Sequence, residues 1–228
     1  MPNVMNNPTN FPRRVNNYVP AMMYSADVNY NGNTRVTFGA PAANNATLVL
    51  NAGSLNSANT TIDLSGVVAF PETYGRSVTY VASGAGGTGT VSLYGWDYLG
   101  QPVREDVTLN GVTPVAGKKA FKSFQSLVSP TAQAGITLNI GSGSQLGLPY
   151  KALRAQWEVA NGAAVAVGTL TAPVLTDPQT ATTGDPRGTY APTTSLNGTN
   201  IISAIFDFAN DVNTSNNGGL HGIRHYTA

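Results

Sequence analysis

The sequence predicts an all-β protein: an antiparallel β-sandwich or jelly-roll-like core with extended N- and C-terminal arms. Three observations predict it. Between residues 31 and about 171, short runs alternate apolar and polar side chains, and no stretch carries a convincing helical period. Asn-Gly pairs punctuate those runs, as hairpin turns require. Prolines gather in the flanks, where they forbid a helix or a central strand.

Residues 1–30 form the first arm. Pro2, Pro8, Pro12 and Pro20 rule out a continuous helix, and the composition is Asn-, Pro-, Met- and Tyr-rich. Phe11, Tyr18, Met22, Met23, Tyr24 and Tyr30 are too apolar for a pure linker. An arm that docks on a neighbouring subunit fits both facts, and a strap across its own domain fits nearly as well. Phe11, Tyr18, Tyr24 and Tyr30 are therefore candidate partner contacts.

Residues 31–171 form the sandwich domain. The predicted strands are 34–38, 46–51, 67–70, 76–83, 90–96, 102–109, 119–128, 136–140 and 152–160. Asn31-Gly32, Asn110-Gly111 and Asn161-Gly162 are hairpin-type turn signals, because both residue types tolerate positive φ. The clearest local feature is the hairpin VSLYGWDYLGQPVREDVTL, whose Asp97, Gly100 and Pro102 supply the turn. Glu105 alternates with Val103 and Val107 on the apolar side, which places it at the sheet's margin or in a pair with Arg76 or Arg104. Lys118, Lys119 and Lys122 read as a solvated strand edge that discourages further pairing.

Residues 172–228 form the C-terminal segment. Pro173, Pro178, Pro186 and Pro192 make residues 172 to about 200 a second extended arm, longer than an ordinary loop. One strand returns at 201–208, followed by a Gly- and Asn-rich tail. Tyr190 and Tyr226 join the candidate partner contacts.

Composition narrows the function. Charged residues are 10% of the chain, where soluble domains average about 25%. A neutral polar surface suits a protein packed against other copies, since charges buried at such contacts cost desolvation energy. The formal net charge of +1 argues against a nucleic-acid partner. There are no cysteines, so disulfides and thiolate metal sites are excluded. No apolar leader precedes the first strand and no run of 18 apolar residues occurs, so synthesis in a cytoplasm and no membrane span are expected.

The chemical motifs are sparse. Gly84, Gly86 and Gly89 match G-x-G-x-x-G, but that motif cradles phosphate only where a strand feeds a helix. Here period-two segments flank the glycines on both sides, so they join two strands and no nucleotide cofactor is expected. His221 and His225 in HGIRH have helical metal-ligand spacing, yet Gly222 disfavours the helix and no third ligand is spaced nearby. Asp211–Gly219 lacks the glycine and closing glutamate of a calcium loop, so no metal is expected. No G-x-S-x-G elbow is present, and Glu72, Asp97, Glu105, Asp106 and Glu158 sit in no recognisable glycosidase motif. Tyr94, Trp96 and Tyr98 share one strand face, which serves either sugar stacking or packing.

Three stretches carry a resemblance. GWDYLGQPVREDVTLNGVTPVAGKKAFKSFQSL is similar to a pattern in virion structural proteins of tailed bacteriophages: a Gly-containing hairpin, an E-x-V-T-L-N-G strand and a K-x-F strand. LGLPYKALRA and TATTGDPRGTYAPTTSLNGT resemble segments of the same class of proteins. The resemblance implies a non-enzymatic capsid cement or decoration protein on a β-sandwich, with no catalytic residues to carry over. Its implied partners are the major capsid protein and further copies of itself, on the capsid exterior, with no nucleic acid, membrane or small-molecule substrate. A neck, tail or fibre-anchoring protein, or a glycan-binding module on the particle surface, are the alternatives.

Overall fold

The computed structural model describes residues 32–174 and 184–208. These form only β-strands and connections, with no helix among them. In chain order the strands are β1 (Gly32–Gly39), β2 (Leu50–Ser54), β3 (Thr60–Asp63), β4 (Arg76–Ala82), β5 (Thr90–Trp96), β6 (Pro102–Thr108) and β7 (Val115–Ala116). Then come β8 (Ser123–Ser129), β9 (Thr137–Gly147), β10 (Ala152–Ala160), β11 (Ala163–Val165), β12 (Thr169–Thr171), β13 (Thr189–Ala191) and β14 (Ile202–Phe208). The all-β, sandwich-like class is the one the sequence predicts.

All pairings are antiparallel, in three sheets. Sheet I has the order β1-β14-β10-β11; sheet II runs β12-β13-β9-β4-β7 with β2 also on β9; sheet III runs β3-β8-β5-β6. Two predicted turns set local register. Asn161 and Gly162 both adopt positive φ, 50° and 83°, and close the β10–β11 hairpin with Ala160 opposite Ala163. In the β5–β6 hairpin Asp97 Oδ1 accepts the N–H groups of Leu99 and Gln101, Gly100 takes φ 75°, and Trp96 faces Pro102.

Alternation then builds two cores. Val78 and Tyr80 of β4 and Leu138 and Ile140 of β9 meet Val91, Leu93, Val103, Val107, Phe124 and Leu127 of sheet III in the first. In the second, Val36, Phe38, Ile202, Ala204, Phe206 and Phe208 of sheet I pack on Leu146, Leu148 and Tyr190. The long strand β9 contributes to both. Each buried aliphatic or aromatic side chain in these clusters contributes about 1.5–3 kcal/mol relative to exposure.

The structure corrects four expectations. Residues 67–70 are not a strand: Val67 N–H closes a turn on Leu64, and Phe70 plugs the first core edge-on to Phe124. Residues 184–200 are not an arm, because β13 is paired on both sides, to β12 and to β9. The prolines of the segment flank β13, so none interrupts its ladder. Lys119 is buried, and Lys122 Nζ donates to the carbonyls of Phe70 and Glu72, so this basic run is not a solvated edge. Glu105 is neither marginal nor paired with Arg76 or Arg104. It is fully buried, accepting Tyr80 O–H at 2.8 Å and the N–H groups of Lys118 and Lys119 at 2.7 and 3.0 Å.

Candidate interaction face

The outer face of sheet I carries an exposed tryptophan, Trp157. In β14, Ile202, Ala204, Phe206 and Phe208 point into the second core, so Ser203, Ile205 and Asp207 point out. The register sets Ser203 between Thr37 and Val159, Ile205 between Arg35 and Trp157, and Asp207 between Asn33 and Arg154. A row of half-buried Ile205 beside Trp157, which is 55% exposed, thus crosses the centre of the sheet. Leu153 at 49% and Ile201 at 58% add apolar surface at its two ends.

Polar groups flank this row and bury Ser203 and Asp207 on either side of Ile205. Arg35 Nε and NH2 donate to Ser203 Oγ at 3.1 and 2.8 Å. Arg154 pairs with Asp207 at 3.0 Å, and Gln156 Nε2 donates to the same carboxylate. An apolar centre that includes an exposed tryptophan, rimmed by an arginine, an ion pair and an amide, has the composition of a protein-contact patch.

The buried charges do a different job. Asp97 and Arg187 form a 2.8 Å ion pair with both side chains 2% exposed. Arg187 also lies 5.2 Å above the Tyr98 ring, and Asp185 caps Arg187 N–H and Ala120 N–H. These contacts tie the β5–β6 turn to the segment before β13. Glu72 and Arg76 form a second buried pair at 3.1 Å, and Arg76 reaches the carbonyls of Ala42 and Gly143 and Asn44 Oδ1. Burial lowers the Arg76 pKa. Burial raises the Glu105 pKa against its three donors, and raises the phenol of Tyr80 far above its ordinary range.

Glu158 joins the second core to two loops. Its Oε2 accepts Tyr190 O–H at 2.6 Å, Thr193 N–H at 3.0 Å and Gly168 N–H at 3.1 Å; its Oε1 accepts Thr194 N–H at 3.1 Å. Burial alone would raise its pKa, but these donors together hold the carboxyl below its ordinary value. Every carboxylate just described is engaged in holding backbone or a fixed cation. Among the described residues no three His, Asp or Glu side chains gather as a metal-binding group.

Of the sequence-predicted contact residues, Phe11, Tyr18, Tyr24, Tyr30 and Tyr226 lie outside the described residues. So do His221, His225 and the 211–219 loop. Tyr190 is the exception, and it is not a surface contact. It is fully buried, stacked on Phe38, edge-on to Phe206 and bonded to Glu158. The aromatic strip divides as well. Tyr94, under the Arg104 guanidinium, and Trp96 remain half-buried on sheet III. Tyr98 turns to donate to Pro149 C=O, and burial pushes its pKa up to about 12. Gly84–Gly89 connect β4 to β5, as the flanking alternation predicts.

Trp157 and Ile205 escape a sequence reading. Bulges at Ala152–Arg154 and Ala155–Trp157 break the two-residue period of β10, so alternation does not assign Trp157 a face. Compared with known proteins, the chain matches no family model, no curated protein and no solved structure.

Proposed function

We propose that this chain is a non-enzymatic structural protein of a tailed-bacteriophage virion, a cement or decoration protein that binds neighbouring coat subunits on the capsid exterior. The observation that carries the reading is the apolar row of Trp157 and Ile205 on sheet I. The low charge of the whole sequence and the resemblance in residues 95–200 support it. A tryptophan left half exposed on a sheet costs hydration in the free protein and regains it when a partner covers it. The major capsid protein, with further copies of this chain, is the partner that this reading names. The buried ion pairs suit such a part, because they hold loops to the sandwich.

Co-sedimentation with assembled particles that lack this protein tests the reading. The wild-type chain should sediment with particles and not with unassembled coat protein. Replacing Trp157 with serine should weaken that binding at least about tenfold, since buried interface tryptophans contribute about 2 kcal/mol or more. Equal binding by wild type and variant, or no binding by either, overturns the proposal.

A further inference from the structure

We propose that β11 is a self-association edge. Two copies of this chain pair their β11 strands antiparallel across a two-fold axis at Ala164, joining two copies of the four-stranded sheet I into one continuous sheet. The pairing is argued from sheet I alone and stands apart from the virion reading.

The ladders behind this edge fix its polarity. Asn161 N–H donates to Ile201 C=O, and the β10–β14 ladder continues without a break from Ala160–Ile202 to Trp157–Ile205. Asn161, Val159 and Trp157 therefore aim their backbone groups at β14, and Ala160 and Glu158 aim theirs at β11. Opposite those two stand Ala163 and Val165, so the N–H and C=O of Ala164 point away from the sheet. Among the described residues no strand lies beyond β11.

This edge lacks the usual protection. Residues 161–167 are exposed throughout, Val165 and Val167 among them, and no charged side chain occurs from Val159 to Thr171. Edge strands commonly carry charges or prolines that discourage further pairing. β1, at the opposite edge of sheet I, carries Arg35; in sheet III, β3 ends on Asp63 and β6 carries Pro102, Arg104 and Asp106. β11 carries no such residue.

Charge and register select a second copy as the occupant. A charged strand laid along this edge loses hydration and meets no opposite charge, whereas β11 of a second copy is equally neutral. A two-fold antiparallel pair must put Ala164 in a hydrogen-bonded position. One register does so with strand residues alone: Ala164 against its own copy, with Ala163 against Val165 on either side. A shift of two residues draws in Gly162, which belongs to the turn, or Ala166, beyond which Gly168 N–H is bound inward by Glu158 and Tyr190.

The consequence lies on the outer face of the sheet. The row Ser203–Val159–Ala164 runs across the axis into its own copy. With strands about 4.8 Å apart and about 3.4 Å of rise per residue, the two Trp157 residues stand on one face about 20 Å apart. A dimer thus doubles the apolar surface that a single copy presents.

Sedimentation velocity and cysteine trapping on the full chain test the pairing. The wild type should pass from monomer to dimer as its concentration rises to about 1 mM. Ala164→Pro removes the outward N–H and keeps the β10 ladder. It should raise the dimer Kd at least about tenfold with an unchanged circular-dichroism spectrum. The chain has no cysteine, so single replacements report the register. Across the axis Ala164 faces its own copy at a Cα separation of about 5.5 Å, within disulfide reach, while the copies of Ala163 or of Val165 stand beyond it. Under mild oxidation Ala164→Cys should therefore yield disulfide dimers at least about tenfold faster than Ala163→Cys or Val165→Cys. A wild type that stays monomeric throughout that range, Ala164→Pro dimerising as the wild type does, or trapping led by position 163 or 165 overturns the proposal. If Ala164→Pro fails to fold, wild-type sedimentation and the trapping rates decide.

Discussion

Replacing Glu158 with glutamine probes how the second core is tied to its loops. The carboxylate receives four donors: Tyr190 O–H, Gly168 N–H and Thr193 N–H on one oxygen, Thr194 N–H on the other. A glutamine keeps one oxygen for the first three and turns an NH2 group toward Thr194 N–H. One bond is lost with both donors left facing, and three exchange a charged acceptor for a neutral one. Hydrogen bonds to charged groups contribute about 1.5–3 kcal/mol and neutral ones about 0.5–1.5, so the change should cost about 3 kcal/mol. For a chain of this size that lowers Tm by about 6–12 °C. The pH dependence follows from the depressed pKa of Glu158. A carboxyl whose folded pKa lies below its unfolded value adds stability above the unfolded value and loses it as pH falls through the folded one. Urea unfolding of both proteins, at neutral pH and in steps below the ordinary carboxylate range, should show a full gap at neutral pH. The gap should narrow in acid as the wild-type carboxyl takes up its proton. A neutral-pH loss below about 1 kcal/mol, or a gap unchanged by acid, refutes the reasoning.

The β4–β5 connection supplies a matched pair. A Cβ at Gly87 would lie 2.4 Å from Ala82 Cβ, so Gly87→Ala should cost about 1–3 kcal/mol in urea unfolding. At Gly86 it would meet only Ile136 Cδ1, at 3.8 Å, so Gly86→Ala should change stability by less than about 0.5 kcal/mol. Asp97→Asn keeps an oxygen for Leu99 and Gln101 but replaces the carboxylate that pairs with Arg187 by a neutral amide, and should lower stability in urea unfolding. Titration of the wild-type chain with NAD and ATP should give no saturable heat, because Gly84–Gly89 lead into a strand rather than a helix N-terminus. Saturable binding that Gly86→Ala removes would reverse that assignment.

Local pattern made much of this fold legible. Alternation located β5, β6, β10 and β14 to within a residue or so, and the Asp97–Pro102 and Asn161-Gly162 turns carry their own chemistry. What stayed hidden depends on partners distant in the chain. The inward side of Glu105 was readable from Val103 and Val107, but not its donors, which come from Tyr80 and from a turn beyond Gly117. That turn needs glycine, since a Cβ at Gly117 would stand 2.3 Å from Glu105 Oε2. Residues 184–200 looked like an arm because proline density reports local stiffness and not where a segment lies. Asp185, Arg187 and Tyr190 pull it into the body through Ala120, Asp97 and Glu158. Val67 to Phe70 is the converse case, an apolar run that delivers one plug residue while Val68 stays 86% exposed. The candidate face was the least legible, because two β-bulges decide where Trp157 points.

An electron-microscopy map of purified particles from cells carrying the gene tests the central claim most directly. The account predicts density for this chain on the outside of the head, with the Trp157–Ile205 row of sheet I seated against coat subunits. Particles without the chain, or a bound chain whose sheet I face is turned to solvent, would contradict it.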